Sequence, residues 1–250
     1  MQNVPEGKVH QAWGRLTLWV SQHQPITRLM ILTAGLIIFL IFLPSYMRIV
    51  FWNGLQSHKF LAGMLFVFGL LGISLVWSAG QRLDAWAFLL FNVRGQRTVW
   101  LDLVMKVLTQ IGSGSIALAI ALVLYFVGER ILSYELLLGT LTLWMIVELV
   151  KFLVNRSRPF IRLTQTRIVG NRARGRSFPS GHTSQVFFMA TLITQHFHSS
   201  LWIVILLFAA AFLVGITRMY IGAHYPRDVL AGAILGSVWG LLGVILNPFT

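Results

Sequence analysis

The sequence has no cysteine and few acidic residues. Without cysteine no disulfide bond can form, and cysteine usage gives no indication of the redox compartment. No group of carboxylates or histidines has the spacing of metal ligands, so we expect no metal, and nothing else in the sequence calls for a cofactor. Asp228 is the only acidic residue after Glu148, although Lys151 and many arginines occupy the same interval. This imbalance predicts a cationic pocket whose ligand is an anion.

Charged residues of both signs are scarce. They make up 11% of the 250 residues, whereas 56% are hydrophobic, and the mean hydropathy is +0.75. These values lie far outside those of soluble domains and indicate an integral membrane protein. The net charge of +13 lies at the ends of apolar segments instead of covering a soluble domain, so we expect no nucleic-acid partner. It favours an anionic substrate and contact with anionic membrane lipids, and no obligatory protein partner is inferred.

Long apolar runs predict an all-α fold, a polytopic integral membrane helical bundle. We expect six core transmembrane helices plus one additional N-terminal span. A polar, interfacial tail at 1–28 precedes a single membrane-embedded domain at 29–250, in which the amphipathic segment 79–114 is expected to form interfacial helices. The predicted spans are Leu29–Met47, Leu61–Ser78, Ser115–Val127, Ile131–Val154, Ser184–Phe197, Leu201–Ile216 and Val229–Leu246.

The last predicted span is rich in glycine. Its glycines recur mainly every four residues, which places them on one helical face. Small residues in this arrangement indicate close packing against another helix rather than a functional site. They are Gly232, Gly236, Gly240 and Gly243.

The first of three short motifs is Lys151 with Arg158 and Pro159. Lys151 and Arg158 are about two helical turns apart, so both are expected to project from one face at the end of a hydrophobic helix. The arginine fork and the lysine point charge together suit a tetrahedral oxyanion. Pro159 is expected to end or bend the helix. Glu148, one turn before Lys151, either pairs with it or faces a polar seam.

The second motif contains Ser180, Gly181 and His182, just before an apolar run that starts near Val186. Either Ser180 or Thr183 is a plausible N-cap of a helix, which directs free backbone N–H groups at an anion. Gly181 allows the backbone to approach that anion closely.

The third motif contains Thr217 and Arg218, and then His224 and Asp228. Gly222 permits a bend of the chain before His224. His224 and Asp228 are four residues apart, so a helix starting just after His224 would bring carboxylate and imidazole into hydrogen-bonding range. Such a carboxylate fixes the tautomer and leaves the other ring nitrogen available as a nucleophile.

In order, residue identity and internal spacing, these motifs closely resemble the three-part signature of the type 2 phosphatidic acid phosphatase superfamily. The resemblance covers roughly the C-terminal two thirds of the chain. It implies that His224 is the nucleophile and forms a phosphohistidine, that Asp228 orients it, and that His182 protonates the leaving oxygen. The phosphate-binding residues it implies are Lys151, Arg158, Ser180, Gly181 and Arg218. The family's third motif usually opens with Ser-Arg; here Thr217 retains a hydroxyl, and we expect the change to be tolerated.

The resemblance implies an integral membrane phosphatase that hydrolyses a lipid phosphomonoester or pyrophosphate without a metal. Phosphatidylglycerol phosphate, phosphatidic acid, undecaprenyl pyrophosphate and lipid A phosphates are all compatible with the sequence. One alternative is a phosphotransferase on the same scaffold, which passes the phosphoryl group to another lipid. Another is an anion-selective channel or transporter. It is disfavoured because permeation needs charge but no nucleophile.

The loop at 155–182 carries six arginines besides Arg158. They form either a solvated face or a clamp for an acidic headgroup. With seven spans, this loop shares a membrane side with all lysines and arginines except Arg48, Lys59 and Arg130. The positive-inside rule alone makes that side cytoplasmic. Because several of these cations serve the site, and bacterial members of the family commonly act on the outer face of the cell membrane, we expect an extracytoplasmic active site.

Overall fold

The computed structural model describes residues 44–92 and 98–246, together with the isolated positions 34, 38, 41 and 42. The described residues form ten α-helices and contain no strand, which confirms the all-helical class. The predicted tail at 1–28 lies outside them, as does most of the first predicted span. The helices are α1 Ser45–Ser57, α2 Lys59–Ser74, α3 Ser78–Asn92, α4 Val99–Leu108, α5 Gly114–Val127, α6 Arg130–Val154, α7 Pro159–Arg162, α8 Gly181–His196, α9 Leu201–Tyr220 and α10 Pro226–Leu246, with a 3-10 turn at Thr109–Gly112.

Helices occupy all six predicted spans that follow the first one. Within the described residues, three helical segments are long and apolar enough to cross a membrane by themselves: Arg130–Arg162, Leu201–Tyr220 and Pro226–Ile245. The pair α2 and α3 is bent by 98°, and the pair formed by Val99–Gly112 and α5 is bent by 57°; if each pair is one span, there are up to five. The arrangement of six core spans and one N-terminal span stays a prediction.

The centre of the bundle is the contact between α8 and α10. A side chain at Gly236 would place its Cβ 2.1 Å from the carbonyl oxygen of Ser184, and one at Gly232 would lie 2.6 Å from that of Ser180. At Gly240 a Cβ would meet Thr191 at 2.7 Å. The predicted role of these glycines in close helix packing is therefore confirmed. Gly243 differs, because its Cβ would lie at an ordinary 3.7 Å from the nearest side chain.

Helix α3 has one buried face made of Asp84, Phe88 and Asn92. These residues are spaced by four and therefore lie on one side of the helix. Leu83 and Trp86 on other sides are 64% and 56% exposed. The segment is amphipathic, as predicted, but its buried face is partly polar and is turned toward the loops that carry the motifs.

The motif residues gather at one end of the bundle. Helix α6 ends there, α8 begins there, α9 ends there and α10 begins there. The bend after α9 depends on Gly222, whose φ of +85° lies in the left-handed region, as expected from the sequence. A Cβ at this position would also lie 2.4 Å from the carbonyl oxygen of Arg167.

Candidate active site

The first motif does not lie on one helical face. Helix α6 ends at Val154, because Asn155 takes a left-handed conformation with φ of 53°. Arg158 is extended and precedes the short helix α7, which begins at Pro159. The predictions that Arg158 belongs to the same helix as Lys151, and that Pro159 ends or bends that helix, are therefore wrong. The extended backbone of Arg158 agrees with the steric preference of a residue before proline.

The Arg158 guanidinium is buried and fixed by three backbone carbonyls. Its Nε donates to the Gly175 oxygen at 3.1 Å, its Nη2 to the Arg174 oxygen at 2.7 Å and its Nη1 to the Ala223 oxygen at 2.9 Å. Nη1 also lies 3.2 Å from Nε2 of His224. Motifs one and three thus meet through a direct side-chain contact.

The two ring nitrogens of His224 have different partners. Nδ1 lies 2.8 Å from the carbonyl oxygen of Ser177, and Nε2 faces the Arg158 guanidinium. A carbonyl can only accept a hydrogen bond and a guanidinium can only donate one. The proton of the neutral imidazole therefore lies on Nδ1, and Nε2 keeps its lone pair.

The environment of His224 favours the neutral ring. His224 is only 2% exposed. Burial lowers its pKa to about 3; Asp228 opposes this effect, while the cations Arg158 and Arg218 add to it. The ordinary pKa of histidine is ≈ 6.5, so the Nε2 lone pair is available throughout the physiological range.

Asp228 is fully buried but does not hydrogen-bond His224 directly. Its Oδ2 lies 3.7 Å from Nδ1, which is beyond hydrogen-bonding distance. The carboxylate instead accepts from Arg156 Nη1 at 2.5 Å, from the Tyr225 backbone N–H at 2.8 Å and from the Ser177 hydroxyl. The expected proximity of imidazole and carboxylate is therefore present, but the expected direct hydrogen bond is not. Ser177 bridges the pair, because its backbone carbonyl oxygen accepts from His224 and its side-chain hydroxyl donates to Asp228.

The second motif supplies the first turn of α8. Ser180 occupies the N-cap position, as one of the two predicted alternatives, but its hydroxyl contacts Thr183 Oγ1 at 2.9 Å and caps no backbone N–H. His182 lies in the first turn, and a Cβ on Gly112 would come within 2.4 Å of its carbonyl oxygen. A Cβ on Gly181 would lie 3.8 Å from Lys151 Nζ. This is an ordinary contact distance, so the expected close approach of the Gly181 backbone to an anion stays a prediction.

Lys151 pairs with Glu148, the first of the two alternatives left open by the sequence. Nζ of Lys151 lies 2.7 Å from Oε1 of Glu148. Both residues, with Gly181 and His182, line one end of a cavity of about 350 Å³ between α5, α6 and α8. Further along, this cavity is mostly apolar, with Leu118, Leu141, Leu143, Trp144 and Val147 in its walls.

Arg218 is buried at the end of α9. Its Nη1 donates to Thr109 Oγ1 at 2.8 Å, and its Nε is buried without a hydrogen-bond partner in the described part of the chain. The hydroxyl of Thr217 donates to the Val214 carbonyl of its own helix at 2.6 Å. The Ser-to-Thr departure from the family pattern therefore affects a side chain that is bonded within α9.

The loop arginines divide into two groups. Arg156 and Arg167 are bonded: Arg156 pairs with Asp84 and Asp228, and Arg167 makes two contacts to Asp102 at 2.7 and 2.8 Å. The exposed group, as a solvated face requires, is Arg162, Arg172, Arg174 and Arg176. Of these, Arg162 also donates to Oε1 of Gln81 at 3.4 Å.

Four residues that surround the predicted site were given no role in it by the sequence prediction: Thr109, Ser177, Asp84 and Arg156. Arg156 belongs to the charged loop and gives no distinguishing signal there. Asp84 did give a signal in the sequence, because Asp84, Phe88 and Asn92 are four residues apart and therefore share one helical face. Within the described residues no group of three or more His, Asp or Glu side chains could hold a metal ion.

Comparison with known proteins agrees with this geometry. The family model described as the PAP2 superfamily matches residues 130–249, which include all three motifs. An undecaprenyl-diphosphatase from Sulfolobus acidocaldarius is 33% identical over 124 residues, which cover 50% of this chain and 59% of that protein. The chain therefore spans less than two thirds of this relative.

Two solved structures have the same fold. One is the PAP2 type phosphatidylglycerolphosphate phosphatase from Bacillus subtilis, with a TM-score of 0.66 and 23% identity over 76% of this chain and 98% of that one. The other is Aquifex aeolicus LpxE, with a TM-score of 0.59 and 30% identity over 65% of this chain and 95% of that one. Together with the family match and the convergence of its three motifs, these similarities show that the chain belongs to the PAP2 superfamily, as the sequence predicted.

Proposed function

We propose that this protein is an integral membrane phosphatase that hydrolyses a lipid phosphomonoester or pyrophosphate through a phosphohistidine on His224. The observation that carries the proposal is the fixed tautomer of His224, whose Nε2 lone pair faces Arg158. A nucleophile beside a guanidinium is suited to a phosphoryl group, since the same cation binds the phosphate oxygens and stabilises charge on them in the transition state.

In the first step, Nε2 of His224 attacks phosphorus and forms the N–P bond. The P–O bond to the lipid breaks, and the leaving oxygen takes a proton from His182. Lys151, Arg158 and Arg218, with the N-terminal turn of α8 at Ser180 and Gly181, bind the phosphate oxygens. The phosphorylated ring carries positive charge, which the Ser177 carbonyl and the nearby Asp228 carboxylate stabilise.

In the second step, a water molecule attacks phosphorus and gives a proton to His182. The N–P bond breaks, its electron pair returns to Nε2 of His224, and inorganic phosphate is released. His182 and His224 thereby regain their initial protonation states. No step requires a metal, because cationic side chains supply the charge stabilisation.

The mostly apolar cavity between α5, α6 and α8 supports a lipid as the leaving group. It begins at Lys151 and His182 and continues along hydrophobic walls, so a lipid phosphate would reach the site with its chains on the apolar side. The relatives named above as a diphosphatase and a phosphatidylglycerolphosphate phosphatase support the same substrate class. We further propose six core spans with one N-terminal span, a single domain at 29–250, and an active site on the extracytoplasmic face of the cell membrane.

Phosphate release by the purified protein tests the proposal. Supplied with one lipid phosphate at a time and a metal chelator, the wild type should release inorganic phosphate and form an acid-labile phosphoenzyme. His224→Ala should reduce release by more than about 1,000-fold, because it removes the nucleophile. His58→Ala is the matched control, since His58 is exposed at the start of α2. Substantial hydrolysis by His224→Ala would overturn the assignment.

The same assay separates hydrolysis from transfer. A hydrolase releases free phosphate from a single lipid in water, whereas a phosphotransferase forms a phosphoenzyme and needs a second lipid to turn over. If the phosphoenzyme persists until an acceptor lipid is added, the protein is a phosphotransferase and not a hydrolase.

A further inference from the structure

The buried face of α3 contacts the loop after α6, the end of α9 and the connection from α9 to α10. Asp84 binds the loop after α6 through Arg156, and Phe88 packs against the Tyr225 ring at 5.6 Å between centroids. Asn92 donates to the carbonyl oxygens of Arg167 and Tyr220, both at 2.8 Å. Helix α3 precedes the residues matched by the family model. It therefore supports the three-motif centre from outside the region that carries the motifs.

A continuous chain of contacts connects Asp84 to the nucleophile. Arg156 Nη2 donates to Asp84, and its Nη1 donates to Asp228 at 2.5 Å. Asp228 accepts from the Ser177 hydroxyl, and the Ser177 carbonyl accepts from His224 Nδ1 at 2.8 Å. The Ser177 backbone N–H also donates to the Arg156 carbonyl at 2.8 Å. Arg156 thus holds both groups that determine the orientation of the imidazole.

The geometry of Arg156 depends on both carboxylates. Its guanidinium is planar, gives one Nη to each carboxylate and stacks on the Tyr225 ring, with Cζ 4.2 Å from the centroid. Asp84 also accepts from the backbone N–H of Arg227 at 3.0 Å, which fixes it against the start of α10.

We propose that Asp84 is a positioning residue for the catalytic centre, acting through Arg156, Asp228 and Ser177 on His224. This inference rests on the proposed phosphatase function. Asp84 touches neither His224 nor the phosphate-binding cations. Loss of its charge is therefore expected to misalign the nucleophile while leaving the binding of substrate phosphate intact. The signature is a lower kcat with an unchanged KM.

The test compares Asp84→Asn with Asp102→Asn in the full-length protein, using phosphate release and thermal unfolding. Asp102→Asn removes the same charge from another ion pair of this loop, the one with Arg167. We expect Asp84→Asn to lower kcat and the rate of phosphoenzyme formation by about 10- to 100-fold with KM within about twofold, and Asp102→Asn to leave kcat within about twofold. Arg156→Lys, which keeps the charge but loses the fork, should act like Asp84→Asn.

The double variant of Asp84→Asn and Arg156→Lys should be no slower than the slower single variant, since the two residues act as one unit. An unchanged kcat in Asp84→Asn, an effect on KM alone, an equal loss in Asp102→Asn, or additive losses in the double variant would each overturn the proposal. If Asp84→Asn does not fold, the kcat and KM of Arg156→Lys decide in the same way. A wild type inactive on every lipid phosphate would instead contradict the proposed function.

Discussion

At the scale of single residues, His224 is held between an acceptor and a donor. The carbonyl of Ser177 can only accept from Nδ1, and the guanidinium of Arg158 can only donate to Nε2. A histidine between two carboxylates or two hydroxyls would lack such a defined tautomer. This pair of partners orients the ring and leaves the lone pair directed toward a cation that can hold the substrate phosphate.

The first prediction is that His224 stays neutral at about pH 5, where an ordinary histidine with a pKa of ≈ 6.5 is mostly protonated. The reason is that burial lowers the pKa of His224 to about 3, and a group with a lowered pKa takes up its proton only as the pH falls through that value. Nitrogen NMR of the ¹⁵N-histidine-labelled protein measures this, with His224→Asn to assign the signal. An imidazolium signal at this pH, or a proton on Nε2, would contradict the prediction.

The residues of the three motifs were predictable from the sequence, but their contacts were not. Each motif has short internal spacings, such as the four positions from His224 to Asp228, which a linear pattern reveals. The partner that Asp228 shares with Asp84 is Arg156, and it lies 72 residues away from each of them. Pairs at such separations are determined by the packing of the bundle, and one sequence does not encode them as a local pattern.

At the scale of elements, the contact between α8 and α10 depends on backbone proximity. Gly236 faces the Ser184 carbonyl so closely that any Cβ would lie 2.1 Å from that oxygen and 2.9 Å from the Phe188 backbone nitrogen. Backbone atoms cannot move aside like the end of a flexible side chain. A methyl group there must therefore separate the two helices.

The second prediction is that Gly236→Ala destabilises the fold by about 1–3 kcal/mol, as overpacking of a close contact does. It should also lower activity, because α8 carries His182 and α10 follows His224. Gly243→Ala is the matched control, since its Cβ would meet Leu192 at 3.7 Å. Thermal unfolding in one detergent measures both variants. Equal unfolding midpoints for the two would show that the contact at Gly236 is not tight.

Helix positions, including the end of α6 at Val154, were predicted well from apolar runs, but the place of Arg158 was not. The expectation that one helix carries both Lys151 and Arg158 used spacing alone, whereas Asn155 ends the helix in a left-handed conformation. Asparagine tolerates that conformation better than most residues do, and the residue before a proline avoids helix. Both signals were present at Asn155 and Pro159.

At the scale of the whole molecule, the loops at the two ends of the bundle differ in charge. The end that carries the motifs also carries the loop with the exposed group Arg162, Arg172, Arg174 and Arg176. These arginines are exposed and are not among the phosphate-binding cations. They are therefore available to contact anionic headgroups or solvent on the side of the membrane that they face. The opposite end contains the short connection from α8 to α9.

The last prediction concerns the membrane side of the site, for which charge distribution and family resemblance disagree. Gln165 is exposed on the loop at the motif end, and Ser200 is exposed between α8 and α9 at the other end. Because the chain has no cysteine, Gln165→Cys and Ser200→Cys each introduce a single thiol. If the site faces outward, an impermeant thiol reagent should label Gln165→Cys in intact cells and Ser200→Cys only after lysis. The reverse labelling would place the site on the cytoplasmic side, where a lipid phosphate would have to be hydrolysed in the inner leaflet.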